Sequence, residues 1–184
     1  MDLSKAFDCI SRKMIYRNLK DAGISPNLIK LIADMHKKTK TSYRVDGLKS
    51  KMIKTIQGVP QGDPLSPILF NLVINPMLMK LDEAKICHKL VTTDTEREIK
   101  CMYADDFLCV CKNKKQMQKA INICEECIRY FNLRANVKKS AVMRFWKPTR
   151  TKESKEKILR KEIFSWGEMI GAPTLPNVSE YKYL

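Results

Sequence analysis

The chain has 184 residues, 44% of them hydrophobic, and a formal charge of +15. That is enough for a packed core and excludes a disordered chain, while the longest apolar run, Ile68 to Met79, holds Asn71, Asn75 and Pro76 and is too short to span a bilayer. The positive excess favours a polyanionic partner, because phosphate neutralisation releases counterions, although a solvated basic surface would carry the same charge.

Asp8 to Ala22 reads as a helix stopped by Gly23. Ser25-Pro26 opens another, with serine as cap and proline in the first turn; Leu28, Leu31, Ile32 and Met35 then share one face. Thr41 to Val45 and Met52 to Ile56 read as strands around Asp46-Gly47, a hairpin signal. Pro64 to Leu81 is a largely apolar helix, bent or broken at Pro76. Lys85 to Glu98 has no clear period and fits a polar loop or a short hairpin. Ile99 to Tyr103 and Phe107 to Cys111 are short apolar runs meeting at Ala104-Asp105-Asp106, a buried hairpin with carboxylates at its tip. Asn113 with Gln116 resembles a capping box, and Met117, Ile121, Cys124, Ile128 and Phe131 follow as one apolar stripe. Ala141 to Trp146 reads as a strand. Lys147 to Lys161 is basic and weakly patterned, either a disordered loop or a helix that orders on nucleic acid. Glu162 to Trp166 and Ser179 to Leu184 look extended. Strands alternating with helices, with late antiparallel strands, indicate an α+β fold with helices on one face of an antiparallel sheet.

Seven cysteines is an odd number, and Asp2 and Lys5 sit where a secretory signal would need an apolar start. The cysteines therefore read as reduced thiols of an intracellular protein. Cys124 and Cys127 form a CxxC inside a helical pattern, with no second pair at zinc-ligand spacing, and read as core.

A tandem acidic pair between two apolar strands is unusual, since two like charges at a hairpin tip repel unless a cation is present. Taken alone, Asp105-Asp106 also has a blander reading, an acidic β-turn. Magnesium would suit it, as a hard ion with oxygen ligands that keeps positions for water and phosphate.

The surrounding residues weigh against the bland reading. Tyr103-Ala104-Asp105-Asp106 resembles the YxDD box of reverse transcriptases. The run from Gln57-Gly58-Val59-Pro60-Gln61-Gly62-Asp63 to Leu72 is similar to their second palm motif, and Asp2-Leu3-Ser4-Lys5-Ala6-Phe7-Asp8 to the first. Asn136-Val137-Lys138-Lys139-Ser140 resembles the fourth, and Tyr181 to Leu184 the start of the fifth. Five motifs in order cover almost the whole chain, in the style of non-LTR (LINE-type) retrotransposons.

The resemblance implies a polymerase palm: motif A at 1–8, motif B and its helix at 57–81, the catalytic hairpin at 99–111, the motif D region at 132–145, a basic loop or insertion at 146–161, and motif E from 179. It implies Asp2, Asp105 and Asp106 as ligands of two Mg2+ ions, with Mn2+ as a substitute. Lys139 would donate a proton to pyrophosphate or stabilise its charge, and Phe7 would act as the gate against a ribose 2′-hydroxyl. Gln61 and Gly62 would approach the incoming dNTP, and Tyr103 would pack near the primer end. The partners implied are an RNA template, a DNA primer and dNTP, with no membrane. Because the chain starts one residue before Asp2, the strand that delivers this aspartate is expected to be missing, as are fingers and thumb. The alternative to an RNA-directed DNA polymerase is an inactive or co-opted remnant that only binds nucleic acid.

Overall fold

Backbone contacts divide the chain into two units, and the computed structural model describes residues 1–91, 96–145, 164–165 and 174–178. The basic stretch at 147–161 and the terminal segment at 179–184 lie outside the described residues. The helical unit comprises Lys5–Pro76 with Tyr130–Leu133; the hairpin unit comprises Met1–Ser4, Met77–Arg129 and Arg134–Leu184.

In the helical unit, two helices stand where one was expected from Asp8 to Ala22: α1 (Ala6–Cys9) and α2 (Arg12–Asp21). The break falls at Ile10, whose carbonyl accepts from the Gly58 N–H at 2.9 Å, while the Phe7 carbonyl accepts from Val59 at 2.8 Å. Both bonds reach across some fifty residues, so local propensity gives no sign of them. The end of α2 is a local matter. Ile24 N–H donates to the Leu19 carbonyl at 3.0 Å and Gly23 N–H to Lys20 at 2.9 Å, with Gly23 at φ +77°, which glycine tolerates without strain.

Helix α3 (Pro26–Lys37) starts as expected, with Ser25 Oγ accepting from Leu28 N–H at 3.4 Å. Its buried side is not the expected one. Ile32 and His36 are buried, whereas Leu28, Leu31 and Met35 are 46%, 57% and 50% exposed. The cause is polar. Tyr16 of α2 and His36 share a hydrogen bond of 2.9 Å between hydroxyl and Nδ1, which turns the Ile32–His36 stripe inward.

A long hairpin follows. Strands β2 (Arg44–Val45) and β3 (Leu48–Lys49) pair around Asp46 and Gly47, both at positive φ (46° and 80°), as a two-residue type I′ loop requires. Strands β1 (Lys40–Thr41) and β4 (Ile53–Lys54) extend it. Thr41 faces Ile53 and Arg44 faces Lys49, so one extra residue on the return strand makes a bulge.

Helix α4 (Leu65–Ala84) runs through Pro76 without the break that proline suggested. A helical proline loosens the carbonyls of the preceding turn; one of them, Val73, accepts from Asn18 Nδ2 at 3.4 Å.

In the hairpin unit, β5 (Lys89–Val91) pairs with β6 (Glu96–Glu98), which resolves the loop-or-hairpin alternative as a hairpin. Strands β7 (Lys100–Tyr103) and β8 (Asp106–Cys109) pair as expected from Lys100↔Cys109 to Tyr103↔Asp106. This hairpin is not buried, however: Phe107 is, but Cys101, Tyr103 and Leu108 are exposed. Helix α5 (Lys114–Tyr130) is capped by Asn113 Oδ1, which accepts from Gln116 N–H at 3.0 Å. Gln116 Oε1 reaches back to Lys112 N–H at 3.1 Å. Cys124 and Cys127 are buried, and all seven cysteines are free.

Strand β9 (Val142–Met143) pairs with β12 (Asn177–Val178), and β10 (Phe164–Ser165) with β11 (Thr174–Leu175). Ile121, Val142, Phe164 and Leu175 close a core cluster there. The fold is α+β, but the sheet differs from expectation. The described strands form six two-stranded pairings rather than one sheet, and β9–β12 is parallel. A parallel pair cannot be joined by a tight turn, and these two strands lie far apart in sequence.

Candidate active site

The carboxylate end of the hairpin unit is built by backbone bonds. Met1 N donates to the Phe107 carbonyl at 2.7 Å, and Phe107 N–H returns a bond to the Met1 carbonyl at 2.9 Å. On its other side Asn136 N–H donates to the Asp2 carbonyl at 2.9 Å, Ser4 N–H to the Arg134 carbonyl at 2.8 Å, and Leu3 bridges Ala135. The short segment Met1–Ser4 is thus bonded on both sides, although no described strand includes Asp2 and only Leu3 forms an isolated bridge. Ser140, buried, fixes the position further. Its hydroxyl accepts from Asp2 N–H at 3.1 Å and donates to the Asn136 carbonyl at 2.9 Å.

Asp105 lies in the two-residue turn between Tyr103 and Asp106. Ala104, the first turn residue, has φ +52°, a left-handed conformation where glycine is usual and alanine is strained by about 1 kcal/mol. Partial burial pushes the Asp105 carboxyl above its ordinary range; a backbone hydrogen bond opposes the rise, and the charges of Asp106 and Asp2 add to it. Lys139, an exposed residue on the 3-10 turn Val137–Lys139, draws it back down. The three aspartates and Lys139 therefore share one electrostatic neighbourhood. Tyr103, paired with Asp106, is 85% exposed. Among the described residues no three His, Cys, Asp or Glu side chains close into a metal-holding set.

The remaining sequence-derived residues belong to the helical unit. A pocket of about 580 Å³ is lined by Phe7, Gln61, Gly62, Asp63 and Ser66, which brings Phe7 to a loop far along the chain. Phe7 stacks on Phe70 with ring centroids 5.0 Å apart. Gln61 Nε2 donates to Asp8 Oδ1 at 3.5 Å. Asp63 Oδ1 accepts from Leu65 N–H at 3.1 Å, capping α4, and the buried Ser66 hydroxyl closes the loop on the Pro60 carbonyl at 2.5 Å. A larger cavity of about 860 Å³ in the hairpin unit is lined by such residues as Phe107, Cys124, Val142 and Phe164 and holds none of the three aspartates.

The model for the family described as "Reverse transcriptase (RNA-dependent DNA polymerase)" matches residues 1–184. The chain belongs to the reverse transcriptase family. It is 29% identical over its full length to the Pol polyprotein of the type-2 retrotransposable element R2DM of Drosophila melanogaster, and 26% identical to that of the type-1 element R2 of Nasonia vitripennis. A third R2 polyprotein, from Popillia japonica, is 32% identical over 142 residues, 76% of the chain. The chain spans 17% of the length of the first two and 20% of the third.

Three residues that sequence reasoning passed over hold this reverse transcriptase segment together. Ser140 is the first. Gly58 is the second: at φ +75°, an added Cβ would lie 2.6 Å from the Asp8 carbonyl oxygen and 2.7 Å from that of Phe7. The loop that carries Gln61 can approach the Phe7 turn only because residue 58 has no side chain. Arg12 is the third. Its Nε donates to the Gly58 carbonyl at 2.9 Å, and NH1 donates to His36 at 2.7 Å and Thr55 at 2.8 Å. Gly58 stood inside the quoted motif, and its position three residues before Gln61 was the available signal; Arg12 left none.

Proposed function

We propose that this chain is the palm of an RNA-directed DNA polymerase, adding a deoxynucleotide from dNTP to a primer 3′-hydroxyl along an RNA template within a retrotransposon polyprotein. What carries this reading is the match to the reverse transcriptase family over residues 1–184; the Asp105 carboxyl, raised by partial burial and by the charges of Asp106 and Asp2, agrees with it. Ionised carboxylates gathered at a strained turn repel one another, and a divalent cation offsets that repulsion. The donor set is all carboxylate oxygen, which suits a hard ion. Asp2, Asp105 and Asp106 would hold two Mg2+ ions, with Mn2+ as a substitute. Protein carboxylates normally supply only part of a magnesium shell, the rest coming from water and substrate phosphates. Bound there, the ions would activate the attacking hydroxyl and stabilise the leaving pyrophosphate.

The other roles belong to the chain's own residues. Lys139 would neutralise or protonate pyrophosphate. Phe7, held against Phe70, would exclude a ribose 2′-hydroxyl, and Gln61 and Gly62 would line the approach of the nucleotide. The exposed ring of Tyr103 would pack near the primer end. In this reading 1–8, 57–81, 99–111 and 132–145 are palm motifs with helices on one face of an antiparallel sheet, 146–161 is a basic insertion and 179–184 opens the next motif. Seven free thiols support a reducing, intracellular setting. Among the described residues no helix is long and apolar enough to cross a membrane.

A second reading, a remnant that binds nucleic acid without catalysis, draws on one observation: no three acidic, histidine or cysteine side chains among the described residues close into a metal-holding set. The test is primer extension on an RNA template with Mg2+, with this chain grafted in place of the matching segment of the Drosophila R2 polyprotein. Extension that drops by at least about 100-fold in Asp105→Ala is the expected result. Extension indifferent to Asp105→Ala would sink the polymerase assignment, and RNA binding with no extension in the unsubstituted graft would favour the remnant.

A further inference from the structure

The hairpin Lys40–Lys54 of the helical unit takes no part in the site described above, and its charges are arranged against its own stability. Its register sets Lys40 directly opposite Lys54 and Arg44 directly opposite Lys49. Like charges facing each other across a strand pair destabilise it. All four residues are exposed, and none has a carboxylate partner among the described residues. The one acid between Lys40 and Lys54 is Asp46, which sits in the turn at φ +46° and off the ladder.

Strand alternation adds a second feature. Lys40 and Arg44 are four residues apart and so fall on one face, and the single bulge residue of the return strand keeps Lys49 and Lys54 in step with them. Thr41, Val45, Leu48 and Ile53 take the other face. The basic face is long and narrow: about 13 Å along the strand and about 4.8 Å between strands. That shape follows one phosphodiester backbone rather than two strands across a groove.

We infer that this face is a docking surface for single-stranded RNA, which neutralises the two repelling pairs as it binds. The choice of RNA over DNA rests on the RNA-directed reading above; the charge argument does not. The measurement therefore needs no catalysis. Binding of the full chain to a fluorescein-labelled single-stranded RNA of about 20 nucleotides is followed by anisotropy in EDTA over a salt series, beside DNA of the same sequence. Substituting all four residues by Gln (Lys40→Gln, Arg44→Gln, Lys49→Gln, Lys54→Gln) should flatten the log–log salt slope by about 3 and weaken RNA binding on the order of 100-fold near 0.1 M salt. The unfolding midpoint should hold or rise, because a repulsion is removed. A variant with the three lysines changed to Arg keeps the charge and should keep the slope, which separates charge loss from misfolding. An unchanged slope in the Gln variant, an equal loss in the Arg variant, no RNA binding by the chain itself, or an effect on DNA alone would each overturn the proposal. Extension by the graft is read separately, so failure of the polymerase reading leaves this result standing or falling by itself.

Discussion

The end of the hairpin unit and the glutamine–glycine loop of the helical unit are assembled by opposite means. Around Gly58 and Gln61 the loop is tied down within the protein: carbonyls of Ile10 and Phe7 accept from Gly58 and Val59, and Arg12 ties Gly58, Thr55 and His36 together, although its NH2 nitrogen is buried without a hydrogen-bond partner. At the tip of β7 and β8 the Asp105 carboxyl takes a backbone hydrogen bond, but like charges gather around it. Asp105 sits beside Asp106 and Asp2 at a strained turn, and its ionised form is disfavoured. The loop shapes a pocket, whereas the tip gathers like charges that disfavour the ionised form of Asp105.

The difference can be broken most severely at Gly58. Gly58→Ala drives a methyl group into two backbone oxygens at a left-handed φ and should cost about 3 kcal/mol, read as a fall in the denaturation midpoint of the helical unit. Arg12→Met removes three hydrogen bonds from a charged donor and should cost about 2–3 kcal/mol by the same measurement. Ser140→Ala should cost the hairpin unit about 1–2 kcal/mol, because Asp2 N–H loses its buried acceptor. It should also slow extension more than this stability loss explains, since Asp2 is then less well held.

The smallest effects are those of pH, and their signs sharpen the contrast. Burial, then the charge of Arg12, lowers the His36 pKa below its ordinary 6.5, with Asp63 opposing. A lowered folded value means stability that is present above about pH 6.5 and lost as pH falls through the folded value. His36→Gln should remove that acid sensitivity. Asp105 runs the other way. Its folded value is raised, so its contribution is full below the ordinary 3.8 and lost as pH rises through the raised value. Residue-resolved hydrogen exchange across pH 4 to pH 7, each taken as an approximate limit, should show the two units shifting in opposite directions.

What the sequence made legible follows the range of the interactions. Gly23, the Ser25 cap, the Asn113–Gln116 box and the Asp46-Gly47 turn are all local devices, and each stands where its residues indicated. The hairpin that carries the Tyr103–Asp106 turn was legible in two short apolar runs meeting at an acidic pair. The break at Ile10, the inward turn of His36, the parallel β9–β12 pair and the grip of Arg12 all depend on partners far along the chain, which periodicity does not encode. The pairing of Met1–Ser4 was missed for the same reason, since its partners lie at Phe107 and at 134–136.

Under the proposed function a divalent cation offsets the repulsion at the carboxylate tip. This claim is tested most directly by the thermal midpoint of the unsubstituted chain and of Asp105→Asn at neutral pH, first in EDTA and then with Mg2+. In EDTA the Asn variant should melt higher, because it sheds an ionised carboxylate whose charge is disfavoured. Mg2+ should raise the midpoint of the unsubstituted chain and leave the variant unmoved. A variant that melts lower in EDTA, or two proteins that respond equally to Mg2+, would contradict the account.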